Sequence, residues 1–202
     1  MIDIYKTVDA ISEGGYKEKG SKFLSYAHPV NNEESIKNVV EGHKKRYFDA
    51  RHHCYAWQLG IDDIHYRAND DGEPSGTAGK PIYGQIKSFG LTNVLIVVIR
   101  YFGGVKLGTS GLINAYKLAT IDCIQNATII EKTIDEYYRV EFGYAMMNDV
   151  MKLVKEENLS TQNQFFGLSC TLDFYVRRSR IKGILDKLKK VEGIELTHLQ
   201  TV

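Results

Sequence analysis

Hydrophobic periodicity is clearest in the last third of the chain. The stretch IDEYYRVEFGY (134–144) is dense in aromatic and β-branched residues, which favours a strand. In MMNDVMKLVKEEN (146–158), Met147, Val150, Met151 and Val154 recur on one helical stripe, with Lys152, Lys155 and Glu156 outside it. Two strands follow around STQNQFF and LSCTLDFYVR, the second alternating Leu168, Cys170, Leu172 and Phe174. RSRIKGILDKLKKV repeats the amphipathic helix with Ile181, Ile184, Leu185, Leu188 and Val191. EGIELTHLQTV closes with Ile194 and Leu196, and Leu199 is a further candidate. The order is βαββαβ, which builds a four-stranded antiparallel sheet with two helices on one face.

The first 130 residues are less regular. GGYKEKGSKFLSYAHPV predicts a charged hairpin or two strands, turning at Gly20–Ser21. NNEESIKNVVEGHKKRY predicts a helix capped by Asn31 or Asn32, with glutamates in its first turn. HHCYAWQLG alternates His53, Tyr55 and Trp57 against Cys54, Ala56 and Gln58, a strand pattern. GTAGKPIYGQIKSFG predicts a short helix entered through a glycine-rich loop, with Thr77 as its cap. NVLIVVIRY is almost wholly apolar, as expected of a central strand covered on both faces. TSGLINAYKLATIDCIQNA predicts a long helix burying Leu112, Ala115, Ala119, Ile121 and Cys123. The fold class is therefore α+β in two domains, 1–130 and 134–202, with the seam near Ala127 to Thr133.

Composition narrows the possibilities only a little. The 26 lysines and arginines nearly cancel 25 acids, which argues against a polybasic protein without excluding a local basic face. No window approaches the ~18 uncharged apolar residues of a membrane span, and the N-terminus lacks a signal-peptide pattern. Cys54, Cys123 and Cys170 are few, scattered and set among apolar neighbours, the usage expected of buried thiols in the cytoplasm.

Two glycine-bearing stretches hold the candidate chemistry. RYFGGVKLGTSG (100–111) lies where the apolar strand hands over to the long helix. Its spacing is neither GxxxxGK[ST] nor GxGxxG, so nucleotide hydrolysis has no support from it. Thr109 or Ser110 is placed to cap a helix starting near Gly111, whose free N–H groups favour an anion, with Lys106 and Arg100 adding charge. The alternative is that these glycines only permit positive φ and close packing. YRANDDGEPSGTAGKPI (66–82) gathers Asp70, Asp71 and Glu73 beside Gly76, Thr77, Gly79 and Lys80. It suits a solvated turn, a polar recognition loop, or carboxylates that hold magnesium through oxygen ligands; a calcium-loop spacing is missing, and no metal site is assigned.

The histidines share no ligand spacing, and His52 and His53 point to opposite faces of one strand. HKKRYFDARHH (43–53) interleaves cations with Tyr47 and Phe48, and RRSRIK (177–182) leads into the last helix. Both are solvated helix ends or phosphate contacts, since cations neutralise a nucleic-acid backbone and tyrosines stack bases.

The segments DDGEPSGTAGKPI (70–82) and NVLIVVIRYFGGVKLGTSGL (93–112) together resemble the two hallmarks of the IMPACT family, the YigZ-type or UPF0029 group, in its bacterial two-domain form. That resemblance implies a ribosomal protein S5 domain 2-like first domain. It also implies a ferredoxin-like second domain similar to the fifth domain of elongation factor G. Eukaryotic relatives regulate translation but carry a further N-terminal domain. The resulting expectation is a non-catalytic protein associated with RNA, the ribosome or a translation-related protein, with no cofactor. Phosphates would meet Lys44, Lys45, Arg46, Arg177, Arg178 and Arg180. A recognition edge would use Asp71, Gly72, Glu73, Gly76, Thr77, Gly79 and Lys80 of one loop. The other loop would add Arg100, Gly103, Gly104, Lys106, Gly108 and Thr109. Two alternatives stand beside it: a metal-assisted hydrolase or transferase of a phosphorylated small molecule using Asp71 and Glu73, and a protein-docking module.

Overall fold

In chain order the elements are β1 (Ile4–Val8), β2 (Ser12–Glu18), β3 (Ser21–Pro29), α1 (Glu33–Arg46), β4 (His52–Leu59), β5 (His65–Asn69), α2 (Gly79–Ser88) and β6 (Val94–Tyr101). There follow α3 (Gly108–Gln125), β7 (Ile129–Thr133), β8 (Asp135–Gly143), α4 (Met147–Glu156), β9 (Ser160–Phe165), β10 (Ser169–Arg177), α5 (Arg178–Leu188) and β11 (Ile194–Thr201). This computed structural model describes residues 3–61 and 64–201; Met1, Ile2 and Val202, at the ends of the expected domains, lie outside the described residues. The chain divides into one unit of Tyr5–Glu131 and a second running from Lys132 onward, which Asp3 and Ile4 join. Asp3 belongs there because its carbonyl accepts from Ile134 N at 3.0 Å and its carboxylate pairs with Arg177.

The first unit is built on a five-stranded antiparallel sheet in the order β2-β3-β6-β4-β5. β6 lies at its centre, and Val94 through Ile99 are each fully buried. Val94, Ile96 and Val98 pack into the core formed with α2 and α3, while Leu95, Val97 and Ile99 face the α1 side. Both faces of the strand are covered, so polar alternation has no place to appear; each such side chain contributes about 1.5–3 kcal/mol. β1 pairs with β7 in a separate two-stranded ribbon.

Local chemistry accounts for several boundaries. Asn32 caps α1 by accepting from Ser35 N at 2.8 Å. The β2–β3 hairpin turns at Lys19–Gly20, one residue earlier than expected, because the Glu18↔Ser21 pairing leaves those two as the connection. Their φ values of 46° and 80° suit the tight hairpin turn that matches strand twist. α3 buries Leu112, Ala115, Ala119 and Cys123 as expected, but Tyr116 and Ile124 take the place given to Ile121, which is half-buried. Its backbone crosses β2 so closely that a Cβ on Gly14 would stand 2.4 Å from Cys123 N.

The second unit has a four-stranded antiparallel sheet in the order β11-β8-β10-β9, with α4 and α5 sharing its core. Cys170, Leu172 and Phe174 are fully buried and alternate as expected. Leu168 is not part of that row: it lies before β10 and is 97% exposed. Leu199 is exposed as well: Ile194, Leu196 and His198 pair with Phe142, Val140 and Tyr138 on the core face, so the next odd position falls on the other side. Leu153 joins Val150 and Val154 on the buried face of α4. β5 was hidden in the sequence because it is a short edge strand with little burial to impose a pattern.

Candidate functional site

Asp70, placed just after β5, organises the first glycine-bearing loop. Its carboxylate accepts from Gly76 N at 2.8 Å, Ala78 N at 3.0 Å and Gly79 N at 2.8 Å. Burial works to raise its pKa, but these three bonds outweigh it and hold the carboxyl below the usual range. Asp70 therefore caps α2, and Thr77 does not: the Thr77 hydroxyl donates to the Pro74 carbonyl at 2.7 Å. Gly79 sits tight against β5, and Lys80 is exposed with its stem beside Gly76.

Asp71 and Glu73 are committed elsewhere. Asp71 accepts from His53 N at 2.7 Å and from Lys44 Nζ at 3.1 Å, tying the loop to β4 and α1. Its carbonyl accepts from His52 Nδ1 at 2.8 Å. Glu73 is buried and accepts from Arg100 Nη1 at 2.6 Å and Tyr116 OH at 2.9 Å. Tyr116 OH in turn accepts from the Cys54 thiol at 3.3 Å. Burial pushes the Cys54 thiol well above its ordinary pKa, so it is a poor nucleophile. Among the described residues, no three His, Cys, Asp or Glu side chains cluster as a metal site would require.

The second loop is shaped by close approach. A Cβ on Gly103 would fall 1.9 Å from the Gly20 carbonyl carbon, so only glycine lets this loop lie on the β2–β3 turn. Gly103 N also donates to Ser21 Oγ at 3.2 Å. Gly104 and Gly108 have φ values of 87° and 71°, the left-handed region that admits glycine without strain. α3 starts at Gly108, earlier than Gly111, and neither Thr109 nor Ser110 caps it: Leu107 holds the cap position without a side-chain bond. Its first N–H groups are thus left without a side-chain partner.

These loops meet at one cavity of about 490 Å³. Of the residues singled out in the sequence, Gly72, Glu73, Arg100, Lys106, Gly108 and Thr109 line it. Asp71, Gly76, Thr77, Gly79, Lys80, Gly103 and Gly104 do not. Arg51, His52 and Phe102 also line the cavity and were missed as site residues. Arg51 and His52 both lie in the 43–53 stretch, where the pattern of cations and aromatics points to phosphate contacts at Lys44, Lys45 and Arg46 instead. The Arg100 guanidinium lies 5.4 Å from the Phe23 ring centroid and 5.6 Å from that of Phe102.

The pattern of the Impact N-terminal domain matches residues 19–124, more than half of the chain, and that span contains both loops. The chain belongs to the IMPACT family. It is 28% identical over 208 residues to the IMPACT family member YvyE of Bacillus subtilis (strain 168), covering 99% of this chain and 95% of the relative. With the IMPACT family member YigZ of Escherichia coli (strain K12) it shares 36% identity over 138 residues, 67% of this chain and 68% of the relative. A crystal structure described as a hypothetical protein superposes with a TM-score of 0.76 at 27% identity, covering 99% of both chains.

The basic residues of this IMPACT-family chain are unevenly available. At the end of α1, Lys44 pairs with Asp71, whereas Lys45 is exposed and the Arg46 guanidinium lies 5.2 Å from the Tyr47 ring centroid. In the second unit every arginine of the cluster has an acidic partner. Arg177 pairs with Asp3, Arg178 with Glu136 at 2.5 Å, and Arg180 with Glu157 at 3.1 Å. Those pairs reduce the charge the cluster offers to a ligand. No helix among the described residues is long and apolar enough to cross a membrane.

Proposed function

We propose that this protein is a non-catalytic, RNA- or ribosome-associated factor of the cytoplasm that acts on translation through the loop cavity of its first unit. The observation carrying this reading is the convergence of the two glycine-bearing loops on one concavity bearing Arg51, Arg100 and Lys106. Lys45 and Arg46 add charge at the end of α1. The involvement of Asp71 and Glu73 in hydrogen bonds within the fold speaks for binding rather than hydrolysis. The family resemblance supplies the link to translation. We assign the first unit to the S5 domain 2-like fold. The second is assigned to the ferredoxin-like fold, for which the β11-β8-β10-β9 order and the two-helix core are support.

A filter-binding titration with single-stranded RNA tests the reading. Affinity is expected to fall steeply between roughly 50 and 200 mM salt, as counterions released by phosphate contacts require. The double variant Lys45→Ala, Arg46→Ala is expected to weaken all sequences alike. Binding that is absent, or indifferent to salt, would sink the proposal.

A further inference from the structure

Resting on that reading and deepening it, we infer that the loop cavity is a subsite for a phosphomonoester carried by a nucleoside, whether a phosphorylated RNA end or a free nucleotide. Charge is the first ground. Arg51, Arg100 and Lys106 line the cavity against one carboxylate, Glu73, leaving two positive charges. Glu73 sits at the back, buried and held by Arg100 and Tyr116, so it does not confront an entering anion. Arg51 and Lys106 are exposed and pair with no carboxylate of the described residues. A phosphomonoester carries about −1.5 to −2 at neutral pH and three acceptor oxygens, against a single negative charge on a backbone phosphodiester. The dianion is the better match.

Donor geometry is the second ground. α3 is 18 residues long, begins on the cavity wall at Gly108 and Thr109, and has no side-chain cap. Its first N–H groups and positive dipole end favour an anion there. Independently, Arg100 is 5% exposed, lines the same cavity, and leaves its buried Nε with no hydrogen-bond partner. Size and stacking supply the nucleoside. The volume of about 490 Å³ suits one small ligand. Phe102, 46% exposed on the same wall, offers a ring face to a base.

The test measures binding of one short single-stranded RNA to the full chain in three forms: 5′-phosphorylated, 3′-phosphorylated and hydroxyl-ended. Adenosine 5′-monophosphate and adenosine are measured in parallel. A phosphorylated form is expected to bind on the order of tenfold tighter than the hydroxyl-ended RNA, and the preferred end identifies the source. Lys106→Ala and Arg51→Ala should each erase most of that advantage with the melting temperature unchanged. Equal, salt-sensitive binding of all three RNAs would overturn the subsite while leaving RNA association standing. Tight binding of the mononucleotide without any RNA would keep the subsite and remove the RNA reading. Binding of none would remove both.

Discussion

At the scale of single residues, buried polar groups carry the sharpest consequences. Arg100 and Glu73 are buried together, so removing one strands the other's charge away from water. Glu73→Ala is expected to cost about 3–5 kcal/mol of unfolding free energy, read as a lower urea midpoint. Glu73→Gln should cost less, because its amide oxygen can still accept. His28 and His43 bring their Nε2 atoms within 2.8 Å in a buried pair. Burial holds both at a pKa of about 4, with the neighbouring His28 and Arg46 charges adding to the effect at His43. The folded pair is thus neutral where unfolded histidines, with an ordinary value near 6.5, take up protons. Stability should be complete above that value and decline as pH falls toward 4. Denaturant midpoints at several pH values in that window would check this. A midpoint shift no smaller in His28→Gln than in the parent chain would show that other groups drive it.

Single elements depend on contacts no local pattern announces. α2 is started by Asp70, a residue nine positions before Gly79 that accepts three backbone N–H groups at once. Asp70→Ala should cost about 1–2 kcal/mol, as loss of a helix cap does, and should speed amide exchange at 76, 78 and 79 first. The 103–108 loop depends on its approach to the β2–β3 turn. Gly103→Ala should force the two apart and cost about 1–3 kcal/mol, the range for overpacking. Its effect on RNA binding would then exceed that of any exposed lysine. The long elements were legible because their burial is regular: β6 is buried on two faces and α4 on one. β5 and β7 were not, since short, exposed strands owe their existence to the edge they pair with, and β1 is five residues long with burial confined to Thr7 and Val8 at its end.

For the whole molecule, a formal net charge of +1 gives no general pull toward nucleic acid. Any salt dependence must come from local clusters, so its slope counts individual phosphate contacts. Lys106→Ala and Arg51→Ala should each lower the slope of log affinity against log salt by about 1. Arg177→Ala and Arg180→Ala should change it less, because each already faces a carboxylate. An equal loss of slope at all four positions would place the nucleic-acid surface on both units.

The chain's own pattern determined the βαββαβ order of the second unit, the central buried strand, the long helix after it and the two loops worth attention. Periodicity suffices for these because burial acts on neighbouring residues through a fixed geometry. Tertiary structure alone decided what the acidic residues of the first loop do. Asp70, Asp71 and Glu73 are three carboxylates in one loop, yet one caps a helix, one ties down a strand and one neutralises a buried arginine. Their partners lie six to forty-three residues away in sequence, and only folding sets those distances. The cavity follows the same rule: Arg51, Phe102 and Lys106 become neighbours because β4 and β6 pair and the chain turns back over them.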